Sequence, residues 1–176
     1  MLYIYIYICF KNIYKLNKLY GYEYLFKMLV FKLIAAVCSD GGMGYKGQLP
    51  WPHCKADMAH FAKRTTGGGN NAVIMGKKTW DSIPARPLRN RANLILSSST
   101  QTHSDSEHWF KNVHELFAHL EAAKYDEVWI IGGASIYDQF MAMHKRNELN
   151  IDEMCVTTME PIYKCDTFFP LIHMTV

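Results

Sequence analysis

The apolar positions of this chain fall into short continuous runs rather than alternating with polar ones. Runs of this kind are typical of strands buried on both faces of a sheet. Helical patterns, with apolar side chains three and four positions apart, occupy segments between them. The runs span residues 29–38, 72–75, 94–96 and 128–131, and the helical segments span 54–64, 77–83, 112–124 and 135–144.

This alternation of strands and helices predicts an α/β domain with a mostly parallel central sheet and helices on both faces. A further strand is expected over residues 151–159. The connections at 66–70 and 84–90 are polar and rich in turn-forming residues. No internal repeat or linker interrupts residues 28–176, so we treat them as a single domain.

Residues 1–27 differ from the rest of the chain. They hold seven of the eleven tyrosines and consist almost wholly of Tyr, Ile, Lys, Asn, Leu and Phe. The apolar run 2–10 is too short to cross a bilayer, and the order of a signal peptide is absent. We interpret this segment as a disordered or non-native extension upstream of a start at Met28. The alternative is a membrane-surface or targeting tail.

Charge and cysteine content exclude several classes of protein. Net charge is +3, and the charged residues of 1–27 account for all of it, so no basic face for nucleic acid is expected. The five cysteines are scattered without a CxxC pair. This argues against a disulfide framework or a zinc site and favours a reducing, cytoplasmic compartment. No stable membrane insertion is expected.

Polar or glycine-rich turns follow three of the predicted strands, at residues 76–79 (GKKT), 97–100 (SSST) and 132–135 (GGAS). Because parallel strands end at the same edge of a sheet, these turns should share one extended anionic ligand. Backbone amides, two lysines and a run of hydroxyls suit a pyrophosphate and one further phosphate. Taken singly, each turn also fits a solvated helix start or an ordinary loop. No GxGxxG or GxxxxGK[ST] motif is present.

Five segments, in this order along the chain, resemble the dihydrofolate reductase family. They are LIAAVCSDGGMGYKGQLPW (33–51), ADMAHF (56–61), VIMGKKTWDSIPARPLRNRANLILSSS (73–99), VWIIGGASIYDQF (128–140) and CDTFFP (165–170). The resemblance implies that family's α/β fold. It also implies NADPH-dependent reduction of 7,8-dihydrofolate to 5,6,7,8-tetrahydrofolate, with hydride to C6 and a proton to N5, in one-carbon metabolism and thymidylate supply.

The resemblance implies that the catalytic positions are Asp57, Trp51 and Thr157, with Asp57 relaying the proton. A carboxylate beside apolar rings has a perturbed pKa and can anchor the amidine-like edge of a pterin. Without the resemblance, Asp57 would be interpreted as a helix-surface acid. We expect His60 to point away from Asp57 and to take no part.

The resemblance also implies an apolar pocket for the pterin and benzoyl rings, with Arg91 pairing with the substrate's α-carboxylate. Each apolar residue alone would also fit plain core, and Arg86 and Arg89 fit solvated loop arginines. The implied substrate-binding residues are Ile34, Ala36, Leu49, Met58, Phe61, Ser82, Ile83, Leu88, Arg91 and Ile131.

NADPH is the implied cofactor, and no metal is implied. Selection of its 2′-phosphate should rest on Lys77 and Ser98, because Ser135 stands where some family members have an arginine. A cis peptide bond is expected between Gly132 and Gly133. The implied cofactor-binding residues are Ala36, Gly44, Gly76, Lys77, Lys78, Thr79, Ser97, Ser98, Ile131, Gly132, Gly133, Ala134, Ser135 and Tyr137.

Family members continue beyond the CDTFFP segment with a final hairpin that completes the sheet. The resemblance therefore implies that residues 28–176 form an incomplete domain in which strand 151–159 is an unpaired edge. Residues 1–27 should be removable without loss of folding. Three interpretations follow: a monomeric, antifolate-sensitive reductase, a non-catalytic folate- or NADP-binding remnant, and the related riboflavin-pathway reductase. Arg91 and the pairing of LPW with Asp57 argue against the third.

Overall fold

The computed structural model describes residues 29–99 and 107–170, together with the backbone of residues 4–9. Within these ranges, no helix is both long enough and apolar enough to cross a membrane. The strands are β1 (Ile4–Cys9), β2 (Phe31–Cys38), β3 (Gly42–Gly44), β4 (Ala72–Gly76), β5 (Ala92–Leu96), β6 (Glu107–Phe110), β7 (Val128–Gly132), β8 (Ile151–Met159) and β9 (Thr167–Phe168). The helices are α1 (Lys55–Thr66), α2 (Lys77–Ser82), α3 (Val113–Ala123) and α4 (Ala134–Lys145).

Seven strands form the main sheet in the order β1-β8-β2-β7-β4-β5-β6. The six strands from β8 to β6 are parallel to one another, and β1 is antiparallel to its neighbour β8. The predicted α/β fold with a mostly parallel sheet is therefore confirmed. A second, two-stranded antiparallel sheet joins β3 and β9.

Helices cover both faces of the main sheet, as predicted. Successive strand residues point to opposite faces, so Leu33 and Ile34 enter different cores. The larger core packs under α3 and α4 and contains Phe31 and Phe140. The smaller core packs under α1 and α2, with Trp80 edge-on to Trp109 of β6 at 5.9 Å between ring centroids. The sequences of the central strands are uninterrupted apolar runs because both faces of each strand are buried.

Local capping sets the start of α3. The side chain of Asn112 accepts a hydrogen bond from the backbone N–H of Glu115 at 3.0 Å. The Glu115 carboxylate in turn accepts one from the backbone N–H of Lys111 at 2.9 Å. This reciprocal arrangement pairs backbone donors that the helix leaves unsatisfied at its start. The helix therefore begins just after the point where the sequence pattern placed it.

The outer edge of β8 is paired rather than free. β1 lies along it with Ile4 opposite Thr158 and Cys9 opposite Glu153. The expectation that residues 151–159 form an unpaired edge is therefore wrong. The sequence gives no local sign of this pairing, because the two partners lie at opposite ends of the chain.

Ion pairs connect charged side chains at the start of β2, at the residue before β7 and on one face of β8. Lys32 contacts both Glu127 and Glu153, and Arg64 contacts Glu153. The other carboxylate oxygen of Glu127 accepts a hydrogen bond from the indole N–H of Trp129 at 2.9 Å. Burial raises the pKa of Glu127, but the hydrogen bonds from Lys32 and Trp129 outweigh it, so the pKa lies below its ordinary value.

Replacing Glu127 with Gln should lower the free energy of unfolding by about 1–2 kcal/mol near neutral pH, because a partly buried charge network is broken. The folded-state pKa is depressed, so this stabilisation is present above the unfolded-state pKa and is lost as pH falls through the folded value. The difference from wild type should shrink in acid. Urea unfolding near neutral pH and in acid checks this. The control is Glu160→Gln, at an exposed position. An equal difference at both pH values would contradict the charge argument.

Candidate active site

The carboxyl ends of the parallel strands bring the three predicted turns to one edge of the sheet. Gly76 at the end of β4 lies opposite Leu96 at the end of β5. Met75 lies opposite Gly132 at the end of β7. Two further strand ends meet farther along the same edge, where Cys38 of β2 lies opposite Met159 of β8. The turns at 76–79, 97–99 and 132–135 are therefore neighbours, as the parallel-sheet prediction required.

Asp57 lies in the first turn of α1 and is buried, with 7% of its surface exposed. Its backbone N–H donates to Sγ of Cys54 at 3.4 Å, so the cysteine caps the helix that presents the carboxylate. The hydroxyl of Thr157 on β8, which is itself 2% exposed, acts on this carboxylate as a hydrogen-bond donor that lowers its pKa. The structure therefore brings Asp57 and Thr157 together, and their catalytic roles stay a prediction.

Burial raises the pKa of Asp57 above its ordinary value. The hydrogen bond from Thr157 and the nearby imidazole of His60 oppose this effect, but they are weaker than the burial. A carboxyl group in this environment holds a proton closer to neutral pH than an exposed aspartate does. It therefore has the property that a proton donor needs.

His60 lies on α1 about one turn after Asp57, and our expectation that it takes no part in catalysis stays a prediction. The two side chains interact electrostatically, raising the pKa of His60 and lowering that of Asp57. Residues three positions apart share one side of a helix, so this proximity follows from their spacing. Burial and the charges of Arg64 and Lys63 nevertheless keep the pKa of His60 below its ordinary value.

Trp51 belongs to a small buried cluster that reaches the start of α1 through Cys54. It is 6% exposed and packs with Cys38 and Met159, while Ala36 and Cys54 line the same cluster. Its ring lies edge-on to Tyr163 at 6.2 Å between centroids. Beside this cluster Gly44 pairs with Thr167 across the small sheet, and its carbonyl accepts the backbone N–H of Asp166 at 2.9 Å.

The predicted substrate residues come together from five parts of the chain. Ile34, Phe61, Ile83, Leu88 and Ile131 all belong to the smaller core under α1 and α2. Leu49 and Met58 are exceptions to the burial of large apolar side chains, at 55% and 37% exposed. The hydroxyl of Ser82 donates to the carbonyl of Thr79 at 2.7 Å, which uses its donor within the helix.

Hydrogen bonds from its guanidinium hold Arg91 in place. One guanidinium N–H contacts the Thr65 hydroxyl, and Nε donates to the Arg89 carbonyl at 3.0 Å. The guanidinium carbon lies 5.8 Å from the centroid of the Phe61 ring. Among the described residues no carboxylate lies within 4.0 Å of Arg91, whereas Arg86 pairs with Asp81. Burial lowers the pKa of Arg91, but a guanidinium remains charged.

The turn between β7 and α4 contains the expected cis peptide bond between Gly132 and Gly133. Gly132 has φ +102°, and an added Cβ would lie 2.7 Å from the ring of Tyr137, so no larger residue fits there. Tyr137 is buried beneath the turn, and its hydroxyl donates to the Ile34 carbonyl at 2.7 Å. No side chain caps the start of α4, which leaves the backbone N–H groups of Ala134 and Ser135 at this edge.

The two lysines of the β4–α2 turn differ in their partners. The ammonium of Lys77 contacts the carboxylate of Asp81 one helical turn later, and Lys78 is exposed. Thr79 lies against the other turn, with its hydroxyl 3.2 Å from where a Cβ on Gly133 would stand. Sequence reasoning missed Asp81, although its spacing of four residues from Lys77 is a recognisable helix ion pair.

A cavity of about 290 Å³ opens beside Ser97 and Ser98, at the carboxyl end of β5. Its other walls are the start of α3 and Gln139 of α4. The Ser97 hydroxyl lies 2.8 Å from that of Ser99 and accepts the Ser99 backbone N–H at 3.2 Å. Sequence reasoning did not anticipate Asn112 and Gln139 here, because the strand that brings α3 to this place, β6, carries no apolar run.

Comparison with known proteins supports one family. A family model described as dihydrofolate reductase matches residues 30–175. The chain is 37% identical over 152 residues to a mouse protein named dihydrofolate reductase, covering 80% of this chain and 79% of the relative. It is 37% identical to a viral dihydrofolate reductase of Saimiriine herpesvirus 2 (84% of this chain, 71% of the relative). It is 36% identical to a dihydrofolate reductase of Drosophila melanogaster, covering 82% of this chain and 81% of the relative.

Proposed function

Since this chain belongs to the dihydrofolate reductase family, we propose that it reduces 7,8-dihydrofolate to tetrahydrofolate with NADPH. The reaction adds a hydride to C6 and a proton to N5 of the pterin and leaves oxidised cofactor. The observation that carries the proposal is the Asp57–Thr157 pair, a buried acid with a raised pKa next to an apolar cluster.

Asp57 is the group that supplies the proton side of this reaction. Its carboxylate orients the amino and ring N–H donors of the pterin, since an ionised carboxylate only accepts hydrogen bonds. Its raised pKa makes this carboxyl a better proton carrier than an exposed aspartate. Trp51, itself buried, helps to hold the water through which the proton is relayed, and Thr157 braces the carboxylate.

The remaining parts of the substrate match the rest of the cleft. Ile34, Phe61 and Ile83 offer apolar surface to the aromatic rings. The exposed side chains of Leu49 and Met58 are available to cover them from the outside. Arg91, which is charged and pairs with no carboxylate in the described part of the chain, binds the substrate's α-carboxylate through two parallel N–H donors.

The residues at the sheet edge fit a dinucleotide cofactor. NADPH, when bound, supplies the hydride. The uncapped start of α4 gives backbone donors for a pyrophosphate, and the glycines at 132 and 133 let that ligand approach the chain closely. Lys77, Lys78 and the cavity at Ser97 and Ser98 suit the phosphorylated adenosine end. These residues hold and orient the cofactor and carry no step of the reaction themselves.

One absorbance measurement tests the proposal. The full chain is mixed with NADPH and dihydrofolate, and loss of the reduced cofactor is followed with and without an antifolate. The expected result is oxidation that requires both reactants and stops when the antifolate is added. Binding of both ligands without oxidation would support the non-catalytic alternative. Failure to bind either ligand would overturn both interpretations.

Replacing Lys77 with Ala should weaken NADPH binding about tenfold and leave NADH binding nearly unchanged, because a charge-assisted contact to the 2′-phosphate is lost. Asp81→Asn should have the opposite effect, because it releases Lys77 from its ion pair. Titration of cofactor fluorescence measures both affinities, with Lys78→Ala for comparison. If Lys77→Ala weakens both cofactors equally, the selective contact belongs to Lys78 or Ser98 instead.

A further inference from the structure

Among the described strands, only β1 lies outside the residues that match the family. The match covers residues 30–175, and β1 occupies Ile4–Cys9. This strand nevertheless completes the main sheet, pairing with β8 from Glu153 to Thr158. A strand that is added to a family fold and pairs with one of its strands can change how readily that strand opens.

The strand that β1 covers carries a residue of the candidate active site. Thr157 lies opposite Ala36 of β2 on one side and opposite Tyr5 of β1 on the other. Its hydroxyl acts on the buried carboxylate of Asp57 as a hydrogen-bond donor that lowers the pKa of that group. Without β1, Thr157 would belong to an edge strand, whose backbone groups on one side are unpaired and which opens more readily.

We propose that β1 is a positioning element of the active site, which fixes Thr157 against Asp57 by closing the outer edge of β8. The inference rests on the proposed function for the role of Asp57, but the pairing itself does not. Loss of β1 would let β8 open and would weaken the bond from Thr157. Because that bond lowers the pKa of Asp57, its loss raises this pKa further.

Proline substitutions at two adjacent positions of β1 form a matched pair. In an antiparallel ladder, alternate residues exchange hydrogen bonds with the partner strand. One of Ile6 and Tyr7 therefore directs its N–H at β8 and the other directs it away. A proline is excluded from the first kind of position but tolerated at the second, because an edge strand needs no donor on its outer side.

One of the two variants, Ile6→Pro or Tyr7→Pro, should therefore be disruptive and the other should be close to wild type. In the disruptive variant, amide hydrogen exchange across residues 153–158 should be at least about tenfold faster. Its melting temperature should fall, and the pH midpoint of turnover should move to higher pH. Wild-type exchange in both variants would overturn the proposal.

The Thr157→Val background tests the route of the effect. If β1 acts through Thr157, the disruptive proline should no longer shift the pH midpoint there, whereas it still should in Thr157→Ser. A shift of the same size in Thr157→Val would show that β1 acts elsewhere.

Removal of residues 1–27 gives a second variant. Unchanged exchange in residues 28–176 would restore the expectation that the extension is dispensable and would overturn the proposal.

Hydrogen exchange keeps this inference separate from the proposed function. Faster exchange in one proline variant of a chain that oxidises no NADPH would leave the bracing by β1 intact and remove the reductase assignment. Normal NADPH oxidation, together with two proline variants that exchange like wild type, would keep the reductase assignment and overturn the bracing by β1.

Discussion

Replacing Asp57 with Asn should reduce turnover about 100-fold or more near neutral pH, the scale at which general acid catalysis contributes. Asn keeps the size of the side chain and can still hydrogen-bond Thr157, but it holds no transferable proton. Activity should partly return at low pH, where the substrate arrives already protonated. Steady-state turnover across the pH range measures this. A variant within about threefold of wild type at neutral pH would contradict the assignment.

The same variant should not be less stable than wild type. Burial raises the folded-state pKa of Asp57, so the charged carboxylate destabilises the fold once the pH exceeds the unfolded-state value. Asn removes that charge, and its melting temperature near neutral pH should equal or exceed that of wild type. A large loss of stability would mean that lost turnover reports unfolding rather than lost chemistry.

Replacing Arg91 with Leu should raise the Michaelis constant for dihydrofolate about 10- to 150-fold, equivalent to losing about 1.5–3 kcal/mol from a charge-assisted pair. The constant for NADPH should stay within about twofold, since Arg91 lies beside Phe61 in the smaller core and not at the three turns. Initial rates at varied concentrations of each substrate separate the two constants.

Two further variants show whether the effect of Arg91→Leu on the Michaelis constant is specific to that guanidinium. Arg89→Leu removes a neighbouring exposed guanidinium and should leave both constants unchanged. Arg91→Lys keeps the charge without the planar pair of donors, and should lie between wild type and Leu. Equal losses in Arg89→Leu and Arg91→Leu would indicate a general electrostatic effect rather than a specific pair.

The parts of the fold that sequence could predict are those in which one local pattern decides the structure. Each apolar run became a central strand because both of its faces are buried, as in β4 over Ala72–Gly76. The order of strands and helices then fixed where the turns meet. Asp57, Thr157 and the turn at Gly132 could be named because the resemblance to the family implies them.

The parts that sequence could not predict depend on partners far along the chain. β6 has two half-buried residues among four and no apolar run, and β9 is two residues long. The pairing of β1 with β8 joins the two ends of the chain and has no local signature. The electrostatic interaction of His60 with Asp57, in contrast, acts between near neighbours, and helical spacing alone could have indicated it.

The position of β2 in the sheet constrains the order in which this protein can fold during synthesis. Its neighbours are β7 and β8, and its pair Phe31–Val128 joins residues about 100 positions apart, whereas Ala72 and Ala92 of β4 and β5 are close in sequence. On the ribosome, β4 and β5 can pair early, while the apolar strand β2 waits until β7 and β8 have emerged. β2, the first strand of the matched domain to be synthesised, is thus among the last to be buried, so the nascent chain exposes it longest.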